Sequence, residues 1–355
     1  MKEERKLAKI VKIDDVIPHP NADQLDIVVW GGWNVIVRKN EFKAGDLCVA
    51  CEIDSWVPNS LAPFLSKGQP PREYNGVKGE RLRTIKLRGQ ISQGLVLPLS
   101  ALPYKESHWY DDPEDGLLKE MTYVPYEAGD DVTEILSIQK YEAPIPACLS
   151  GVMKGNFPSH TPKTDELRIQ SFTNEEIEEL LTYTYIVTEK IDGSSFTSFS
   201  YNGNFGVCSR NLELIETEGN TLWAVANKYN LKNALPVLGN ISISGEIVGP
   251  GIQKNPYNLK EHDVYVFYAW NIDTQEYLSE SKLNEILTNL GMKRVPIIHD
   301  SLEISSFTIN DIITMADGKS ALNPNTNREG LVFKTDNRSK SWKIISNQFL
   351  LKEKD

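Results

Sequence analysis

Over the first hundred residues, apolar and polar positions alternate in short bursts, and no helical repeat interrupts them. Residues 7–13 interleave β-branched residues with lysines, 25–29 are apolar, 34–37 are a short β-branched piece and 46–53 are β-rich. Breakers separate them at Pro18-His19-Pro20-Asn21, Gly31-Gly32, Ala44-Gly45-Asp46 and Trp56-Val57-Pro58-Asn59. Such spacing predicts a small all-β barrel or sandwich. Residues 103–131 read as loop and 132–138 as a short helix or strand. Tyr141-Glu142-Ala143-Pro144-Ile145-Pro146 reads as an extended connection, because proline disfavours helix there.

Beyond the connection the period changes. Asn174 precedes Glu175 and Glu176 and an apolar face of Ile177, Leu180 and Leu181, which predicts a capped helix. A second helix is expected over 218–230, and a third from Ser279 through Leu283, Ile286, Leu287 and Leu290, stopping at Gly291. Strands are expected over 185–190, 195–201, 205–209, 241–247, 264–270, 330–334 and 342–345, with Asn202-Gly203 turning a hairpin. The second half is therefore α+β, with mainly antiparallel sheet flanked by helices. For the first half, a five-stranded OB-type barrel is the favoured closure. The expected domains are a barrel with a loop extension over 1–140, a linker over 141–165 and a second domain over 166–355.

Composition narrows the function classes. The 355 residues suit two domains, and 25% charged with 40% hydrophobic residues excludes a mainly disordered chain. No apolar run reaches the roughly 18–20 residues of a membrane span. Met1 to Lys6 leads into no apolar signal core, so an intracellular, cytoplasmic protein is expected. Lys and Arg number 38 against 49 Asp and Glu, a net charge of −11, so any nucleic-acid contact must use a local basic surface. The densest one is Lys78, Arg81, Arg83, Lys86 and Arg88, where strand alternation pairs Arg81 with Arg83 and Lys86 with Arg88. Cys48 and Cys51 form the one C-x-x-C, without the second pair a zinc site needs, and are expected as buried strand residues. The five histidines have no metal-ligand spacing.

Walker, GxGxxG, GxSxG and HExxH patterns are absent. Instead Lys190-Ile191-Asp192-Gly193 places a lysine at the end of an apolar strand, just before a turn. An ordinary lysine is only about 0.04% neutral at pH 7, so a nucleophilic role requires an environment that depresses its pKa. Four further strand-borne elements follow: Gly245-Glu246, the aromatic run Tyr265 to Trp270, Glu329-Gly330 to Lys334, and Ser341-Trp342-Lys343.

This order resembles the covalent nucleotidyltransferases, which comprise the ATP-dependent RNA and DNA ligases and the mRNA capping enzymes. Within them the chain is most similar to RNA ligases of the Deinococcus and Naegleria type, which carry an N-terminal OB domain. Residues 81–94, the Ile344-Ile345-Ser346-Asn347 segment and the domain order support this. Residues 17–25 also resemble the opening of tRNA-binding OB domains.

The resemblance implies that Lys190 attacks the ATP α-phosphate and carries AMP, which passes to an RNA 5′-phosphate before a 3′-hydroxyl displaces it. It implies Mg²⁺ or Mn²⁺ held, through water, by Asp192, Glu246 and Glu329, and nucleotide contacts from Arg168, Glu189 (through its main chain), Asp192, Gly193, Arg210, Glu246, Trp270 and Glu329. Alternation sets Tyr268 and Trp270 on one face and Phe267 on the other, and the resemblance, which has an aromatic just before Asp/Asn-Ile, implies Trp270 as the residue that stacks the adenine. Lys334 and Lys343 contact the α-phosphate, and the same cations lower the pKa of Lys190. Many family members have a K-x-K pair in the last element. Here Ser341 and Ile345 flank Lys343, leaving Lys340 or Lys352 as candidate helpers. Arg81, Arg83, Lys86 and Arg88 bind nucleic acid, expected as nicked duplex or paired RNA ends, and the enzyme is expected to be a monomer. The alternatives are a DNA ligase, a capping-type guanylyltransferase, or a non-catalytic RNA-binding OB protein.

Overall fold

The computed structural model describes residues 5–103, 125–142 and 152–352. Most of the 103–131 loop, the end of the Tyr141–Pro146 connection, Cys148 and His108 lie outside the described residues. The chain divides into two compact units: residues 1–143 with 170–173, and residues 144–169 with 174–355.

The first unit is built from short antiparallel strands. Leu47–Cys51 lies between Ala8–Lys12 and Leu95–Pro98, and Leu25–Trp30 lies between Asp15–Pro18 and Trp33–Arg38. The turn joining Leu25–Trp30 to Trp33–Arg38 is Gly31-Gly32, at φ 51° and 80°, conformations that glycine adopts without a Cβ penalty. Strands Ser55–Pro58, Val77–Arg81 and Arg72–Tyr74 form a further sheet with Gln139–Lys140, and Thr84–Leu87 pairs with Gln90–Gln93 as a separate ribbon. Leu7, Ile10, Val49, Cys51, Val57, Leu82, Leu95 and Leu97 fill the interior. Each large apolar side chain buried this fully contributes roughly 1.5–3 kcal/mol. Cys48 and Cys51 are buried on the central strand, where burial pushes both thiols up to about 12, so neither is a reactive thiolate. Residues 132–138 form turns rather than a helix or strand. The excursion Gln170–Thr173 belongs to this unit: the Trp33 indole N–H donates to the Gln170 carbonyl (2.8 Å) and Lys9 Nζ to that of Ser171 (2.8 Å).

The second unit contains two sheets. The larger runs in the order Met153–Asn156, Leu212–Leu214, Asn204–Cys208, Ser194–Tyr201, Ile241–Val248, Asp263–Asn271 and Glu276–Tyr277, with Lys293–Arg294 parallel to the sixth strand. Met153–Asn156 falls within 141–165, so part of the stretch read as linker is an edge strand of this sheet. Alternation divides the sheet's faces. Ile241, Ile243 and Ile247 pack against Trp223, Leu231, Leu235, Leu283 and Leu287 of the helices, while Ser242, Ser244 and Glu246 occupy the opposite, polar face. The helix expected over 218–230 ends at Lys228. Asn230 then takes a left-handed φ of 50°, and a second helix, Leu231–Leu238, starts because Leu231 and Leu235 are both drawn into the core. Glu280–Leu290 matches its expected bounds, with Ser279 accepting from the Lys282 N–H and Gly291 left-handed at φ 65°.

The smaller sheet has the order Ile297–Glu303, Thr184–Lys190, Gly330–Lys334, Ser341–Ile345. Its register sets Lys190 opposite Gly330, Val332 opposite Lys343 and Lys334 opposite Ser341. Lys190, Lys343 and Lys334 therefore share one face. Tyr185, Phe333 and Trp342 pack on the other, the last two rings stacked at 4.0 Å.

Candidate active site

Lys190 ends its strand with Nζ 2.7 Å from Glu329 Oε1. Its side chain keeps 25% exposure, so the amine is enclosed but reachable. Glu329 directly precedes the partner strand, which is held at that end by the Ser346 N–H donating to the Glu329 carbonyl (2.8 Å). The neighbouring Arg328 braces the same point by donating to the carbonyls of Met315, Ala316 and Asp317. Asp192 sits in the following turn, where its backbone N–H donates to Tyr257 Oη (2.6 Å). Glu246 comes from the larger sheet, opposite Ser195.

Two glycines permit this crowding. A Cβ on Gly193 would lie 2.4 Å from the Ile247 carbonyl oxygen and 2.9 Å from Glu246 Cγ, and one on Gly330 would lie 2.1 Å from the Ile344 oxygen. The residues after Asp192 and Glu329 are thus glycine because backbone passes where a side chain would be.

The electrostatics differ from the sequence expectation. Burial alone would lower the Lys190 pKa, but Glu329, Glu246 and Asp192 outweigh it and hold the ammonium above its ordinary value. The expected lowering by neighbouring lysines is not what surrounds this amine. Burial, together with Glu329 and Asp192, pushes the Glu246 carboxyl up to about 8 against the opposing pull of Lys190. Among the described residues, no three Asp, Glu, His or Cys side chains converge closely enough to hold a metal ion directly. The oxygen set of Asp192, Glu246 and Glu329 suits a hard cation held through its waters.

The remaining sequence candidates divide. Lys343 lies on the Lys190 face, its strand bridged in parallel to Arg168 through the Lys343 N–H and the Leu167 carbonyl (2.8 Å). Arg168 is buried, and Arg210 is exposed and paired with Asp165 at 2.8 Å. The Glu189 side chain points to the opposite face, accepting from the Ala321 N–H (2.7 Å), which leaves only its main chain on the Lys190 side. Lys340 pairs with Glu179 (2.6 Å), and Lys352 lies exposed after the final helix.

Two of the expected site residues lie away from the Lys190 amine. Lys334 was expected at the α-phosphate, but its Nζ is completely buried, with Glu280 Oε1 at 2.6 Å and the Phe267 carbonyl oxygen at 3.0 Å. At 3.3 Å per residue it stands roughly 13 Å along the strand from Gly330, the partner of Lys190. Burial pushes this lysine's pKa down, with Arg338 and Arg294 adding to the effect. Trp270 was expected under the adenine, but it lies opposite Ser242, four residues from Glu246, where its indole N–H donates to the His160 carbonyl (3.3 Å) and its ring packs beside Phe199 and Ile272.

A register shift brings Phe267 onto the face that carries Glu246, Tyr268 and Trp270, and Trp270 is set apart from Glu246 by its distance along the strand. Ser244 pairs with Tyr268 but Gly245 pairs with Val266, so Phe267 is an extra, bulged residue. Strict alternation breaks there: the Phe267 and Tyr268 rings lie on one side, centroids 5.2 Å apart. Phe267 packs with Ile191, Tyr257, Tyr265 and Leu322, the apolar cluster next to the turn that follows Lys190. Sequence reading missed Tyr257 and this use of Phe267. The Asn255-Pro256-Tyr257 turn after Gly249–Gly251 was the available signal for the first, and a one-residue bulge leaves none.

In the first unit the basic stretch is not one strand. Val77–Arg81 and Thr84–Leu87 belong to different sheets, and Arg88 is a left-handed turn residue at φ 44°. Arg81 pairs with Asp54 (2.6 Å) and lies over the Tyr141 ring (4.9 Å), so it is built into the fold. Lys86 and Arg88 are exposed on the ribbon with Ile85 and Leu87, and the His19 ring and the Asn21 side chain hold its tip at the carbonyls of Leu87 (3.2 Å) and Arg88 (3.0 Å).

Among the described residues, no helix is long and apolar enough to cross a membrane. A family model described as RNA ligase matches residues 183–352, and an OB-fold domain model matches residues 7–99. No curated protein matches the chain. Among solved structures, the chain is similar to Naegleria gruberi RNA ligase with pyrophosphate, at 39% identity and a TM-score of 0.83 over 98% of each chain. It is also similar to a lysine-to-methionine variant of that enzyme with AMP and Mn (39%, TM-score 0.84, 98% of each chain). A glutamate-to-alanine variant with ATP and Mn gives 40% identity and a TM-score of 0.83 over 99% of this chain and 100% of that one. With relatives of that identity spanning nearly its whole length, and its own OB-fold and antiparallel-sheet units, the chain belongs to the RNA ligase family.

Proposed function

We propose that this protein is an ATP-dependent ligase that joins RNA 3′-hydroxyl and 5′-phosphate ends through a lysyl-AMP intermediate on Lys190. The observation that carries the reading is the half-enclosed Lys190 amine, 2.7 Å from Glu329, with Glu246 and Asp192 close enough to shift it and Lys343 on the same sheet face. Solved variants of the Naegleria enzyme alter an early lysine and then, in chain order, a lysine, an aspartate, a glutamate, a second glutamate and a lysine, and it is the last five that matter here. Lys190, Asp192, Glu246, Glu329 and Lys343 follow the same order here.

The steps follow from charge. With Lys190 held as an ammonium by three carboxylates, the amine cannot attack until Glu329 lets go of it. When bound, Mg²⁺ or Mn²⁺ supplies positive charge that neutralises the triphosphate and these carboxylates. Asp192, Glu246 and Glu329 hold its water shell. Relieved of that pairing, Lys190 would pass its proton to water, and its neutral nitrogen would form the P–N bond as the bond from the α-phosphorus to the leaving pyrophosphate breaks. Lys343 faces the α-phosphate and stabilises its charge in the in-line displacement. Phe267 stacks on the adenine with Ile191 beneath, and the Glu189 main chain reads its amino edge. The adenylate then passes to the 5′-phosphate, and the 3′-hydroxyl releases AMP. Lys86 and Arg88 contribute to holding RNA on the OB unit, with Arg81 supporting the fold instead.

The test is label transfer. Wild-type protein incubated with α-³²P-ATP and manganese takes up label at Lys190, and Lys190→Ala takes up none. Label on the variant would overturn the nucleophile assignment. Sealing of RNA but not DNA 3′-hydroxyl ends, and use of ATP but not GTP, distinguish this reading from a DNA ligase or a capping enzyme.

A further inference from the structure

Phe267 is the extra residue of the bulge, so it pairs neither with Ile241–Val248 nor with the strands on the other side, whose partners are Tyr265, Val266, Trp270 and Asn271. A bulged residue's carbonyl loses its ladder donor, and a buried carbonyl without one is costly. Here Lys334 Nζ reaches across from the smaller sheet and donates to it at 3.0 Å. Glu280, the first residue of its helix, accepts from the same amine at 2.6 Å and also pairs with Arg294, the strand partner of Val266. Behind the bulge, Arg338 lies over the Tyr268 and Tyr277 rings, at 4.7 and 5.0 Å, and pairs with Glu166. The bulge is therefore clamped on both flanks by cations that are themselves almost fully enclosed.

We propose that Lys334, with Glu280, is a positioning residue for base recognition. It pins the Phe267 carbonyl and so holds the Phe267 ring where it stacks on the adenine. This rests on the reading of Phe267 as the stacking residue. The two lysines then have separate roles, Lys343 serving the phosphate and Lys334 serving the base through Phe267.

The test uses full-length enzyme freed of AMP with pyrophosphate, and calorimetric binding of two probes, adenosine and inorganic tripolyphosphate. Phe267→Ala is expected to weaken adenosine by about tenfold, the usual scale of one base–aromatic stack. Lys334→Met is expected to do the same while leaving tripolyphosphate within about twofold, and the double variant to be no weaker than Phe267→Ala alone. A matching loss of tripolyphosphate in Lys334→Met would place the amine at the phosphates and overturn the proposal, as would multiplying losses in the double variant. Should Lys334→Met fail to fold, Glu280→Gln must show the adenosine-selective loss, and unchanged affinity there overturns it. If Phe267→Ala itself binds adenosine normally, the stacking reading is what fails. If only Phe267→Ala is impaired, the clamp alone is wrong.

Discussion

Lys190 Nζ and Glu329 Oε1 lie 2.7 Å apart, and the pairing favours the protonated form of the Lys190 amine. Glu329, Glu246 and Asp192 raise the pKa of this amine, so in the proposed mechanism it reacts only once charge arriving with the nucleotide offsets theirs.

Replacing Glu329 with Gln removes one of the charges that hold the Lys190 proton, so the Lys190 pKa should fall. Acylation of Lys190 by acetic anhydride, followed by peptide mass spectrometry across pH, should rise at a lower pH in Glu329→Gln than in wild type. Auto-adenylylation should nonetheless drop, because the nucleotide loses a carboxylate that Glu329 provides. An unmoved acylation profile would mean that the ion pair does not govern the amine.

Gly193 admits no Cβ without a clash against the Ile247 carbonyl and Glu246. Gly193→Ala should cost roughly 1–3 kcal/mol in urea denaturation, the range for overpacking. Gly155, with nothing within 4 Å of its would-be Cβ, supplies the control: Gly155→Ala should unfold at nearly the wild-type urea concentration.

On the OB unit, Arg81 and the pair Lys86 and Arg88 should separate by assay. Arg81→Ala loses its pairing with Asp54 and its stack on Tyr141, a destabilisation of about 1–2 kcal/mol visible as a lower melting temperature. Lys86→Ala/Arg88→Ala should melt normally but bind RNA more weakly, with the salt slope of log K reduced by up to about 2. A normal slope would remove both residues from the RNA surface.

Trp270→Ala should be a stability variant and not a nucleotide-binding one. The half-buried indole packs against Phe199 and Ile272, so its loss should cost about 2 kcal/mol, with the ATP KM for auto-adenylylation unchanged. A KM raised tenfold with unchanged stability would return Trp270 to the adenine site.

Asp263 offers a pH test away from the reacting groups. Burial would raise its pKa, but Lys293 (2.8 Å), the Tyr229 hydroxyl (2.5 Å) and the Val264 N–H together hold it below the ordinary carboxylate value. A carboxylate depressed in the folded state stabilises the protein above its unfolded pKa of about 3.9, and that contribution fades as pH falls through the folded value. The melting temperature gap between wild type and Asp263→Asn should therefore be wide at pH 7 and narrow near pH 3. An equal gap at both would mean that the ionised form contributes nothing.

The sequence alone determined the chemistry-bearing elements of this protein and their order. Lys190-x-Asp192-Gly193, Gly245-Glu246, Glu329-Gly330 and Lys343 are local patterns, because each needs only a strand end, a turn and a glycine where backbone passes closely. The Asn202-Gly203 hairpin and the Ser279 to Gly291 helix were legible for the same reason, as caps and turns are short-range physics. Tertiary structure decided what no local pattern encodes. The bulge at Phe267 puts that side chain on the face of Glu246, Tyr268 and Trp270, where strict alternation would have set it opposite Tyr268 and Trp270. Lys334 reads like any lysine at the end of a strand, and only the arrival of Glu280 and the Phe267 carbonyl from distant elements makes it a buried, paired one. Arg81 changes from an RNA contact into a structural pair because Asp54 and Tyr141 come from elsewhere in the chain. A charge takes its role from the partners that folding brings to it, and those partners are far away in sequence.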